Sequence, residues 1–380
     1  MQCKHFKMGA TGLLLVACIV FSVQSAGCAN PESAEKAAVE TKKDLADIIG
    51  SSHVAGKYHF TEKDFLNEGA DLLLDMGSRV IKVWFIWPQS SYPFNSEWPK
   101  TNTPVELAKT PHFQELFSKP FTTIMLMLPP ETRTEERPEQ AKHEKKRVYE
   151  LSKYLLETYK DTGKTFIIQN WEGDWMLTPP GSTEDPDDDV VQWMIKALNA
   201  RQDGVEQARK EVGTNGVMVA HAAEVNLVAK AMEGKKTATN DVLPHTRCDL
   251  YSYSAYDTCL IGATQFKEAL EYLKKKAPDS KLYGADNIYV GEFGAPENSH
   301  NQKDIVKWST EVALEFGARY IVYWQTYCNE DSGTKEKIAK REAGKRTNKE
   351  MRGFWLVRPD GSKSPAYEYF AGLLKPVKTP

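Results

Sequence analysis

Little in this chain is in excess. Basic and acidic side chains nearly cancel, 49 against 52, for a net charge of −3. That balance, with no nucleic-acid motif, speaks against a nucleic-acid partner. Cysteine is sparse, 6 in 380 residues, and no spacing matches a zinc or iron–sulfur site. The apolar run Gly12–Val23 is too short to span a bilayer comfortably. No Gly-rich phosphate turn follows an early strand, which argues against a dinucleotide-binding sheet. A GxSxG nucleophile turn and an HExxH pair are both missing, so serine-hydrolase and zincin chemistry have no motif here. No internal repeat is present.

The first thirty residues read as a targeting segment. Lys4 and Lys7 precede the apolar run, and Ser25-Ala-Gly27 supplies small residues before a cut. Ser25-Ala-Gly-Cys28 resembles a bacterial lipobox with Cys28 as the lipidated residue. The expected organisation is a signal peptide at 1–27, an Ala-, Glu- and Lys-rich tether at 28–50, and one domain at 51–380. The expected location is outside the cytoplasm, in the cell envelope or secreted, with any membrane contact made through Cys28. Cys259 and Cys328 both follow predicted strands, so an exported protein could pair them; buried free thiols are the alternative.

From Val54 onward strand and helix signals alternate. Val54–Tyr58, Arg79–Ile86, Phe121–Leu128, Phe166–Gln169, Asn215–His221, Cys248–Tyr253, Asn287–Gly291 and Ala318–Trp324 read as strands. Helical periodicity follows each, as in Glu62–Met76, Val105–Phe117 and Val190–Val212. Continuous apolar strands between amphipathic helices mean a parallel sheet covered on both faces. Eight such units predict a (β/α)₈ TIM barrel, whose chemistry collects at the carboxyl ends of the strands.

Those ends are rich in aromatics and carboxylates. The strand Phe166–Gln169 breaks into Asn170, Trp171, Glu172, Asp174 and Trp175. Asn287-Ile-Tyr-Val-Gly-Glu-Phe-Gly294 ends on Glu292. Indoles offer flat apolar faces to a sugar ring, an amide can hydrogen-bond a hydroxyl, and two carboxyl groups can cleave a glycosidic bond. Lys82, Trp84, His221, Tyr253, Tyr256 and Trp324 complete the set of candidate substrate-binding residues, beside Asn170, Trp171 and Trp175. A carbohydrate is the expected partner, and the chemistry needs no cofactor.

In these motifs the chain resembles the barrel glycoside hydrolases of clan A, which include cellulase-, mannanase- and β-galactosidase-type families. The resemblance implies that Glu172, after strand four, is the acid/base. It implies that Glu292, in Gly291-Glu-Phe-Gly294 after strand seven, is the nucleophile. Lys82 stands where Arg is commoner, Tyr253 or Tyr256 where a tyrosine touches the nucleophile, and Trp324 where an aromatic residue ends strand eight. The chain departs from the clan in one place: Trp171 separates Asn170 from Glu172. On a regular strand those two would share a face. Either the strand ends at Gln169 or a bulge re-aims Glu172; otherwise Asp174 or Glu224 is the proton donor. Two rival functions stay open at this point. One is a non-catalytic glycan-binding barrel lipoprotein. The other is a metal-dependent hydrolase using His221, Glu224 and Asp257.

Overall fold

The computed structural model describes residues 44–131, 137–182, 184–333 and 344–375. The expected signal segment, Cys28 and the tether up to residue 43 lie outside them. Among the described residues eight parallel strands close into a barrel in chain order. They are β1 Ile49–His53, β2 Val80–Trp84, β3 Thr123–Met127, β4 Thr165–Gln169, β5 Met218–Val225, β6 Leu250–Ser254, β7 Ile288–Phe293 and β8 Ile321–Tyr323. β8 closes on β1 with Ile49 opposite Ile321. The surrounding helices are α1 Phe65–Met76, α2 Pro111–Ser118, α3 Arg137–Thr158, α4 Asp188–Val212, α5 Val228–Met232, α6 Ala263–Lys276, α7 Gln302–Phe316 and α8 Pro365–Leu374. This is the expected (β/α)₈ barrel.

Local chemistry sets the boundaries. Asp64 caps α1 by accepting the Asn67 amide at 3.1 Å, and Gly77 ends it at φ 105°. The single helix expected over Val105–Phe117 is two, because Pro111 opens a new first turn. The first strand is Ile49–His53, not Val54–Tyr58, so the barrel begins inside the segment assigned to the tether. Gly50 permits that strand to approach β2: a Cβ there would lie 2.4 Å from the Val80 carbonyl oxygen. Cys248, Cys259 and Cys328 are buried free thiols, so the Cys259–Cys328 disulfide is not formed.

Strand alternation sorts side chains into two cores. Val80, Met125, Ile167, Ala220, Ala222, Leu250, Tyr289, Tyr320 and Val322 fill the barrel's lower interior. Ile81, Val83, Ile124, Phe166, Ile168, Val219, Ala223, Tyr251 and Tyr253 face the helices instead. Two residues further along the inward rows come Lys82, Gln169, Glu224 and Ser252, a buried polar layer above the apolar one. Above that stand Trp84, Met127, Glu172 and Trp324 at the carboxyl-end mouth. Layered filling of this kind is the rule for such barrels; here the second layer is charged.

The long helices α3 and α4 pack closely at Gly204. A Cβ there would sit 2.5 Å from the Lys145 carbonyl oxygen and 3.0 Å from the Tyr149 nitrogen. Replacing Gly by Ala inside a helix gains about 1 kcal/mol in propensity, but overpacking against rigid backbone costs about 1–3 kcal/mol. Gly204→Ala is therefore expected to lower the melting temperature. A rise would mean that the two helices separate at little cost.

Candidate active site

Two strand ends carry the candidate carboxylates, and neither does so by simple alternation. β4 ends at Gln169, the first of the alternatives left open above. Glu172 then adopts φ 21°, ψ 78°, directly before the short helix Gly173–Leu177. This sparsely populated conformation swings the carboxyl group into the mouth of the barrel. Gly173 makes the turn possible, since a Cβ would lie 2.6 Å from the Glu224 carbonyl oxygen. On β7, Tyr289 faces inward and Val290 outward, so alternation alone would turn Glu292 outward. A register shift intervenes: Tyr253 pairs with Val290, but Ser254 pairs with Glu292. The bulge adds one residue and returns Glu292 to the interior. Gly291 is the residue that permits it, because a Cβ there would fall 1.9 Å from Ser252 Oγ and 2.4 Å from Glu224 Oε2.

Glu172 and Glu292 open onto one cavity of about 820 Å³. Trp84, Trp87, Trp171, Trp324 and Tyr256 are among its walls. The Trp84 and Trp324 rings meet at 5.3 Å between centroids, inclined by 59°. Trp87, at φ 47°, is 64% exposed on the rim, so its indole face is open to a ligand. The non-glycine residues with positive φ include Ala55, Trp87 and Glu172, all on the cavity wall. The other three among the described residues, Asn95, Asp161 and Asn215, lie away from it and are of the types that tolerate this conformation.

Below the mouth, Lys82 is fully buried and uses all three of its donors. Nζ donates to Glu292 Oε1 at 2.8 Å, to Glu224 Oε2 at 2.9 Å and to the Gly291 carbonyl at 3.2 Å. Glu224 Oε2 also accepts from Gln169 Nε2 at 2.9 Å and Ser252 Oγ at 2.7 Å. The Tyr289 hydroxyl donates to Gln169 Oε1 at 2.6 Å, which fixes the amide's orientation. Glu172 has no such cation beside it; its Oε1 accepts from Ser254 Oγ at 2.7 Å.

The electrostatics follow from that difference. Burial raises the Glu172 carboxyl to about 7; Glu224 repulsion adds to the rise, while Ser254, Lys82 and Trp175 oppose it. Burial also raises Glu292, to about 8, with Lys82 pulling it down and Glu224 and Glu172 pushing it up. Desolvation disfavours the charged Lys82, yet the two carboxylates outweigh it and hold the ammonium above its ordinary range. Both carboxyl groups are thus held above the usual carboxylate range. The 2.8 Å ion pair to Lys82 favours the anion at Glu292, whereas the nearest partner of the Glu172 carboxyl group is the Ser254 hydroxyl.

Of the expected site residues, Glu172, Glu292, Trp84, Trp171, Tyr256 and Trp324 line the cavity. The Tyr256 hydroxyl is buried with no hydrogen-bond partner among the described residues. Five others act elsewhere. Lys82 is buried beneath the cavity and touches the carboxylates, not a ligand's space. Asn170 clips β4 to β5: its Nδ2 donates to the Glu224 carbonyl and its Oδ1 accepts the Glu224 amide, both at 3.0 Å. Trp175 is half-buried behind Glu172 and helps hold that carboxyl group. His221 lies on the outward face of β5, where Arg201 Nε donates to its Nε2 at 3.2 Å. Tyr253 faces outward on β6 and donates to Asp257 at 2.5 Å.

The alternative proton donor Asp174 is committed to backbone, accepting amides of Asn226 and Leu227 at 3.0 Å and of Ala238 at 2.8 Å. The metal-site alternative fails on direction: His221 faces the helices, Glu224 the barrel axis, and Asp257 is held by Tyr253 and the Ala229 amide. Ser252, Ser254, Gln169 and Tyr289 were not singled out from sequence, although inward alternation on their strands was there to be read.

No family model and no curated protein matches the chain in sequence. Solved structures do match in fold. A GH5-4 broad-specificity endoglucanase from Clostridium acetobutylicum aligns with TM-score 0.54 and 10% identity, over 87% of this chain and 97% of that one. An exo-β-1,4-mannosidase from an Opitutaceae bacterium aligns with TM-score 0.52 and 14% identity, over 87% of this chain and 60% of that one. A GH5 xyloglucan-specific endo-β-1,4-glucanase from a metagenomic library, in complex with cellotriose, gives 0.51 and 12% over 86% and 97%. At these identities the likeness establishes the barrel, and the chemistry is argued from this chain's own residues.

The raised Glu172 carboxyl links stability to pH. The folded state keeps a proton that the unfolded chain releases near 4.5, so this group's contribution is full below about 4.5 and is lost as pH rises through about 7. Glu172→Gln removes that loss. Relative to the parent, the variant is expected to gain on the order of 2–3 kcal/mol between pH 5 and pH 8. Melting curves at the two pH values check this, and a difference independent of pH would contradict it.

Proposed function

We propose that this protein is a glycoside hydrolase acting by a retaining double displacement, with Glu292 as nucleophile and Glu172 as acid/base. One observation carries the reading. Two carboxyl groups face one indole-walled cavity in unlike environments, an ammonium ion beside Glu292 and a hydroxyl beside Glu172. Unlike environments are what assign the two roles in paired-carboxylate chemistry.

In the first step the Glu292 carboxylate attacks the anomeric carbon, and the glycosidic C–O bond breaks. Glu172 gives its proton to the departing oxygen, leaving a glycosyl ester on Glu292. In the second step Glu172, now a carboxylate, takes a proton from water. The water oxygen attacks the anomeric carbon, and the ester bond breaks to release Glu292. Trp84, Trp171, Trp324 and the exposed Trp87 supply faces for sugar rings. The Tyr256 hydroxyl, free of other partners, is available to donate to a sugar oxygen or to Glu292. The placement of Glu172 in the cavity favours cleavage over glycan binding alone. That barrels of this fold include endoglucanases and a mannosidase lends support.

The test is hydrolysis of a panel of aryl glycosides and β-linked oligosaccharides, with the first-formed anomer followed by NMR. Retention is expected. Glu172→Ala should slow substrates with poor leaving groups by ~10²–10⁴-fold, spare dinitrophenyl glycosides in the first step, and recover turnover with azide. Inversion, or full activity in Glu292→Gln, would overturn the assignment. No cleavage of any substrate would turn the reading to glycan binding.

A further inference from the structure

A carboxylate buried directly against the Lys82–Glu292 pair has no task in the mechanism above. Glu224 sits on β5 with no exposed surface, and it is not part of the cavity wall. Burying a third carboxylate beside two that must differ in protonation is costly unless its partners are well arranged. They are. Oε2 accepts from Lys82, Gln169 and Ser252, and Oε1 accepts the backbone amide of Glu172 at 3.3 Å. The space it occupies is held open by Gly291. The same residue's main chain is gripped by Asn170.

We propose that Glu224 is a positioning residue that couples the two active-site carboxyl groups. One oxygen fixes the Lys82 ammonium between β5 and Glu292. The other holds the strained turn that presents Glu172. This deepens the glycosidase reading and rests on it for the roles of Glu172 and Glu292.

Its position has two consequences. Lys82 divides its charge between two anions, so Glu292 is stabilised as a carboxylate without being fully neutralised as a nucleophile. The negative charge of Glu224 also lies against the Glu172 turn and favours the protonated form of that carboxyl group. The titratable groups around Glu224 are Lys82 on β2, Glu172 after β4, and Tyr289 and Glu292 on β7. Tyr256, after β6, faces Glu172 and Glu292. None of these except Lys82 is cationic.

The test uses full-length protein labelled with [δ-13C]glutamate. The Glu172 signal is identified by its loss in Glu172→Gln, and its titration midpoint is compared in Glu224→Gln and Glu224→Asp. In Glu224→Gln the midpoint should fall by roughly one unit, since a like charge has gone. Glu224→Asp keeps the charge and should hold the midpoint near that of the parent. Its shorter side chain should release the Glu172 amide, whose hydrogen exchange rises roughly five- to tenfold. The Asp variant carries the test if the Gln variant does not fold. An unmoved midpoint in Glu224→Gln, equal shifts in both variants, or unchanged amide exchange in Glu224→Asp would overturn the proposal. None of these readouts needs turnover. If the midpoint shifts as expected and the parent cleaves no glycoside, the coupling stands and the glycosidase reading fails. If glycosides are cleaved, the alkaline limb of kcat/KM should move down with the midpoint.

Discussion

A buried ammonium ion between two carboxylates is the constraint around which the mouth of this barrel is built. Lys82 has lost all contact with water, and each of its three donors meets an oxygen of the protein. An unpaired charge in that position would be prohibitive; removing one partner of a buried pair typically costs about 3–5 kcal/mol. Both carboxylates are therefore held in place as firmly as the lysine. That rigidity suits a site whose reacting atoms must stay within a fraction of an ångström.

Several otherwise odd features follow. Gly291 has no side chain because Glu224 and Ser252 fill the space a Cβ would need. β7 bulges because Glu292 must face Lys82, and regular alternation would turn it toward the helices. Gly294 lets the chain after β7 pass the Trp324 carbonyl, which a Cβ would approach to 2.5 Å. Gly173 lets the Glu172 turn lie against β5. The Gly-Glu-Phe-Gly segment is thus a set of steric allowances around one ion cluster.

The fold was legible in the sequence because apolar strands and amphipathic helices alternate at their own periods. Gly77 and Gly317 end their helices in left-handed caps. β1 was misplaced because Gly50-Ser-Ser-His53 carries none of the apolar pattern a buried strand shows, its inward side being left to small residues. β5 was expected to stop at His221; it runs to Val225, and that extension puts Glu224 inside the barrel. His221 and Tyr253 were nominated by residue type, whereas strand direction decides what each touches. Glu172 and Glu292, both nominated and both on the cavity wall, are the opposite case. Their motifs identify them even though a positive-φ turn and a bulge, both invisible to periodicity, are what aim them.

The central claim is a division of charge: Glu292 ionised against Lys82, Glu172 holding the proton. Infrared difference spectroscopy near pH 5.5 tests it directly, by comparing the protonated-carboxyl band of the parent with those of Glu172→Gln and Glu292→Gln. The account predicts that one component of the band is lost in Glu172→Gln and kept in Glu292→Gln, the Asp257 carboxyl, raised to about 6 by burial, contributing equally to all three spectra. A component kept in Glu172→Gln and lost in Glu292→Gln would place the proton on the proposed nucleophile and contradict it.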